Sequence, residues 1–184
     1  SEACYYSLSD FIMPADTQKT DYIGVFTVTA GKEIENRIEY YKQQDDNYNA
    51  LLLQSLSDRI AEAATELLHY RVRKEIWGYS PNETATVENL LKEHYQGIRP
   101  AIGYPSLPDQ SLAFDIDKLL GFDQIDVSLT ENGAMKPNST VSGIMIAHPQ
   151  SVYFHIGQID MEQRAEYCKK RNFSIEDSYK WLSV

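Results

Sequence analysis

Only two cysteines occur in this chain, Cys4 and Cys168, far apart and without a CxxC pair. That scarcity argues against a disulfide framework and leads us to expect a reducing, cytoplasmic setting. Positive charge is also scarce, with 17 Lys and Arg against 27 Asp and Glu and a net charge of −10. Such a balance argues against a nucleic-acid backbone or an anionic membrane as partner. No apolar run is long enough to span a bilayer, and no signal peptide is visible. The four histidines, His69, His94, His148 and His155, lack metal-ligand spacing, so each is expected at the surface or packed rather than on a metal. There is no GxSxG elbow, GxGxxG turn or phosphate loop, and neither cysteine has a local activating context. These absences leave no self-contained catalytic constellation and direct attention to binding.

What is present suits one domain over residues 1–184, with 42% hydrophobic and 24% charged residues. Thirteen tyrosines offer apolar rings with polar tips, suited to cores and ligand clefts alike. The run 22–29 is β-branched and aromatic and predicts a buried strand, followed by a helix over 33–44. Apolar residues Leu51, Leu52, Leu56, Ile60, Ala63, Leu67 and Tyr70 recur at three- and four-residue spacings, predicting a long helix over 47–77 wrapped by other elements. Thr86 is positioned to cap a short helix reaching residue 94, and a further helix is expected over 115–120. Strands are expected at 125–129, 141–147 and 151–158, then a helix over 161–171 and a last one from Ser174 with Asp177 in a capping box. Strands and helices do not alternate as βαβ units. The expected class is therefore α+β, with a mostly antiparallel twisted sheet packed on a long central helix and several shorter ones.

The most pointed segment is Arg99-Pro100-Ala101-Ile102-Gly103-Tyr104-Pro105. Its arginine is a planar fork of donors matched to a carboxylate or phosphate. The prolines bias the run toward extended backbone, and the glycine permits close approach. By composition alone the run also fits a proline-rich surface turn carrying a solvated arginine. Upstream stand Arg71-Val72-Arg73-Lys74, Trp77-Gly78-Tyr79 and Glu93-His94-Tyr95-Gln96-Gly97-Ile98. Downstream come Ser128-Leu129-Thr130-Glu131-Asn132-Gly133, Val141-Ser142-Gly143, His148-Pro149 and Tyr153-Phe154. Adjacent strand residues face opposite ways, so Tyr153 and Phe154 share a site only where the strand ends or bulges.

This ordered series resembles the activation domain of cobalamin-dependent methionine synthase, which binds S-adenosylmethionine. The resemblance implies that Arg99 grips the ligand carboxylate and that Ala101 and Gly103 supply backbone contacts. It places Tyr104 near the reacting methyl and the corrin, and Tyr153 and Phe154 along the ligand. The second aromatic matches a tyrosine in the family, and Ile102 and Ser106 replace a common proline and cysteine. Glu62 and Glu93 become candidates to face the ligand's positive end, with Glu131 a weaker third. The resemblance starts partway through the family's domain; the earlier portion there carries an aspartate expected to contact the ligand. The implied function is docking on a cobalamin-binding domain and positioning the methyl donor for reductive remethylation of cob(II)alamin, with an electron from a flavodoxin-type donor. The cobalamin belongs to the partner. An alternative is an S-adenosylmethionine-sensing or structural subunit of another corrinoid protein, without reactivation.

Overall fold

A computed structural model describes residues 6–84 and 86–182. Cys4 lies outside the described residues, and Cys168 is a buried free thiol. The first strand, β1, spans Gly24–Thr29, and the helices α1 (Lys32–Gln43) and α2 (Asn47–Arg71) follow. The carboxylate of Asp46 starts α2 by accepting from the Asn49 backbone N–H and its side-chain amide, at 3.1 and 2.6 Å. A wide π-helical turn over Val72–Ile76 then closes the long helix. Shorter helices are α3 (Val87–Leu91), α4 (Leu112–Leu120), α5 (Met161–Arg171) and α6 (Ile175–Trp181). The strands β2 (Ser128–Leu129), β3 (Met135–Lys136) and β4 (Thr140–Met145) complete the set. Among the described residues no helix is long and apolar enough to cross a membrane.

Antiparallel pairing runs from Gly24 opposite Met145 to Thr29 opposite Thr140, and β2 pairs with β3 in the same sense. The other edge of β4 carries the proline-rich run as an extended arm. Ile98 and Ile146 exchange backbone hydrogen bonds at 2.9 Å, Ile144 N–H donates to Pro100 C=O at 3.1 Å, and Ile102 N–H donates to Ser142 C=O at 2.9 Å. The core holds two adjoining clusters that share Leu8 and Ile144 as partly buried neighbours. One cluster joins Ile102, Leu107, Ala113, Ile116, Phe122 and Val127; another joins Phe11, Ile98 and Ile146.

The fold class is the one expected, but three local expectations change. Residues 151–158 form no strand: one edge of β4 is taken by β1 and the other by the arm. Residues 122–125 make a 3₁₀ turn, and the strand expected over 125–129 shrinks to β2. The leucine column of α2 faces outward, with Leu51 68% and Leu67 59% exposed. The buried face of that helix is instead Ala50, Ser57, Ala61, Thr65 and His69. Small residues let α2 approach the sheet closely, whereas leucines would hold it away. The caps expected from Thr86 and from Ser174 with Asp177 are both formed.

A buried polar knot ties the C-terminal helices to the loop before α4. Asp109, 1% exposed, accepts from the N–H and hydroxyl of Ser111 and from the Tyr167 hydroxyl. Arg171 lies 3.3 Å from Asp109 and donates to Asp115 at 2.8 Å. The Arg171 contact holds the Asp115 carboxyl below the ordinary carboxylate range. Burial first, and then the bond to Asp109, raises the Tyr167 phenol above its ordinary value.

Candidate ligand site on the Arg99 arm

The arm reaches its place only because residue 143 has no side chain. A Cβ there would stand 2.2 Å from the Pro100 carbonyl oxygen and 2.9 Å from Ala101 Cα. Gly143 therefore lets two backbones meet directly, and the position of Arg99 follows from main-chain contacts. After Ala101 the chain turns. Tyr104 N–H donates to Ala101 C=O at 3.2 Å, and Gly103 takes φ +82°, a left-handed value that glycine adopts without a Cβ clash. This turn lifts Tyr104 to the rim, where it is 53% exposed.

Arg99 is fixed from several directions. Its backbone N–H donates to the Tyr153 hydroxyl at 3.0 Å. Nη2 donates to Glu66 Oε2 at 2.6 Å, and Nη1 donates to Tyr95 Oη at 3.0 Å. Nη1 also lies 3.2 Å from His69 Nδ1. Burial works against the charge of Arg99, but the Tyr153 and Tyr95 oxygens and Glu66 hold its pKa above the ordinary value. The guanidinium stays a cation with its orientation defined, and among the described residues Nε and the second Nη2 hydrogen meet no acceptor.

His69 is fully buried, and desolvation, reinforced by the charges of Arg73 and Arg99, lowers its pKa to about 2. The ring is therefore neutral. A guanidinium can only donate, so Nδ1 must be the accepting nitrogen and Nε2 carries the hydrogen toward Tyr79 Oη, 3.4 Å away. Burial raises the Tyr79 phenol to about 12, so it too is neutral. Beneath this pair, the π turn brings Arg73 into the interior. Its Nε and Nη2 donate to both oxygens of Glu83 at 2.7 Å, and its guanidinium covers the Tyr95 ring at 4.1 Å.

A cavity of about 470 Å³ opens over Arg99. Seven of the nine residues singled out from sequence line it: Glu62, Glu93, Arg99, Ala101, Tyr104, Tyr153 and Phe154. Gly103 is not on the lining; it makes the turn behind Tyr104. Glu131 sits in the connection between β2 and β3, also off the lining. Because 151–158 is not a strand, the opposite-face rule does not apply, and Tyr153 and Phe154 reach the same cavity. Sequence reasoning gave no role to Glu66, His69, Tyr95 or Arg73. Their signal was nonetheless present: Glu66, His69 and Arg73 are spaced three and four apart, so they share one face of the long helix and its π turn.

The cavity thus combines a fixed cation, two carboxylates, aromatic walls and a backbone arm at contact distance. These are complementary to a zwitterionic small molecule with a flat ring, and a volume of this order suits one. A sequence model of the vitamin B12-dependent methionine synthase activation domain matches residues 1–172. The fold is similar to a crystal structure of the MetH reactivation domain bound to AdoHcy, with 41% identity and a TM-score of 0.89. That alignment covers 96% of this chain and 56% of the other, so this chain spans little more than half of that structure's length. With the arm, the long helix and the matched length in agreement, the chain belongs to the activation-domain family of vitamin B12-dependent methionine synthase.

Proposed function

We propose that this chain binds S-adenosylmethionine in the Arg99 cavity and presents it to a cobalamin-binding domain for reductive remethylation of an inactive cobalamin. The observation that carries the reading is Arg99 itself, a half-buried, oriented cation with uncommitted donors on a cavity wall. Those donors suit the ligand carboxylate, as a bidentate or forked contact. Glu62 and Glu93 bring negative charge to the same cavity and suit the ligand's ammonium and sulfonium. Ala101 offers backbone at contact distance, while Tyr153 and Phe154 provide faces for the adenine. Tyr104, at the exposed rim, stands where a docked partner would meet the donor group.

When bound, S-adenosylmethionine supplies an electrophilic methyl group, and the electron belongs to a flavodoxin-type donor. The work of this chain is to bind, orient and screen. Glu66, His69 and Tyr95 hold the guanidinium so that little of its freedom is lost on binding. Thermal unfolding with increasing S-adenosylmethionine, for wild type and Arg99→Ala, tests the reading. A ligand at 100 times its Kd stabilises by about 2.7 kcal/mol, so the wild-type midpoint is expected to rise and that of the variant to stay level. Absence of a rise in the wild type would refute binding by this chain.

A further inference from the structure

Glu66 and Arg73 leave an unmade contact between them. Arg73 is wholly buried, and its Nη1 has no acceptor among the described residues, although its Nε and Nη2 are both engaged with Glu83. The Glu66 Oε1 atom is likewise shielded from solvent and without a donor among the described residues. The two atoms lie 4.0 Å apart, too far for a hydrogen bond. The reason is visible on the other side of the carboxylate: Oε2 is drawn to Arg99 at 2.6 Å. Glu66 therefore stands between two arginines, bonded to one and about an ångström short of the other.

We infer that Glu66 is an exchangeable internal counter-ion, holding Arg99 until a ligand carboxylate arrives and then moving onto Arg73. The inference rests on the function proposed above and gives Glu66 a positioning role within it. An incoming carboxylate at Arg99 meets the negative charge of Glu66 beside the same guanidinium, and two like charges at that range repel. For the partly exposed Glu66, a donor with no acceptor among the described residues waits on Arg73, 4.0 Å away. The exchange forms one hydrogen bond as it releases another and creates no new unpaired group on Glu66. It also makes the site selective, since a ligand lacking a carboxylate has nothing to replace Glu66 with and leaves the resting pair in place.

A direction of effect separates this role from a merely structural one. If Glu66 only braces Arg99, Glu66→Gln loosens the cation and weakens binding. If Glu66 competes, the same variant keeps an acceptor for Nη2, removes the repulsion and tightens binding. Calorimetry with S-adenosylhomocysteine should show Kd lower in Glu66→Gln by roughly three- to tenfold. With decarboxylated S-adenosylhomocysteine, which keeps the ammonium, no tightening is expected. Equal or weaker binding of S-adenosylhomocysteine by the variant overturns the exchange and leaves the proposed function standing. So does equal tightening toward both ligands. Failure of the wild type to bind either ligand removes the proposed function and the exchange together. Should Glu66→Gln not fold, a crystal structure of the wild type saturated with S-adenosylhomocysteine decides. Glu66 bonded to Arg73 supports the exchange, and retention of the spacings of 2.6 and 4.0 Å overturns it.

Discussion

Arg99 donates to the Nδ1 of a histidine that stays neutral near neutral pH in the folded state, since His69 is buried beside two guanidinium groups. The sign of the pH effect follows. Unfolded, the imidazole protonates below about 6.5; folded, it resists to about 2. Stability linked to His69 is therefore fully present above pH 6.5 and is lost as pH falls toward the folded value. Relative to His69→Gln, which is neutral throughout, the wild type should lose about 1.4 kcal/mol per pH unit below 6.5. Urea unfolding of both proteins at pH 8 and pH 5 measures this, and parallel losses would show that the ring is protonated in the fold.

Gly143→Ala should separate the arm from its strand. The added methyl meets the Pro100 carbonyl at 2.2 Å, with backbone on both sides and no side chain to give way. Overpacking of this kind costs about 1–3 kcal/mol or more. Because the displaced element carries Arg99, ligand-induced stabilisation should fall along with the midpoint. Unchanged denaturation and ligand response would mean that the arm is placed by something other than this backbone contact.

Asp109→Ala provides the opposite dissociation. Removing this carboxylate leaves the Tyr167 hydroxyl without its acceptor and Arg171 with only Ser111 and Asp115, a loss of about 1–3 kcal/mol for an unsatisfied buried group. None of those groups lines the Arg99 cavity. Denaturation should therefore show a large loss of stability, while calorimetry below the unfolding transition gives an unchanged Kd for S-adenosylhomocysteine. A weakened Kd would show that the C-terminal helices are coupled to the cavity.

The sequence made legible those features that depend on local chemistry. Thr86 and Ser174 have oxygens that cap where a helix begins, and Arg99 just ahead of two rigid prolines announces an oriented cation. Expectations failed where the outcome depended on which edge was already occupied. The run at 151–158 has strand-like composition, yet the arm at 98–102 holds the edge of β4 that it would need. The outward leucines of α2 mislead for a related reason. Periodicity marks a face but not its neighbour, and closeness to the sheet favoured the opposite face of alanine, serine and threonine. Glu66 escaped notice, and Arg73 counted only as part of the Arg71–Lys74 run, because a charge on a helix is ordinarily solvated; the π turn is what buries Arg73.

That small polar face of α2 also fixes an angle. Ser57, Ala61, Thr65 and His69 descend the helix in steps of four, presenting little bulk to interlock with the sheet. Toward one end Ser57 is bonded to Ser139 at 2.6 Å, and toward the other His69 is bonded to Arg99. These two pins set how far the helix is rolled about its own axis. One residue of roll is about 100°, enough to turn His69 away from its arginine. The grip on Arg99 and the seating of the longest helix are thus a single adjustment, and neither can drift without the other.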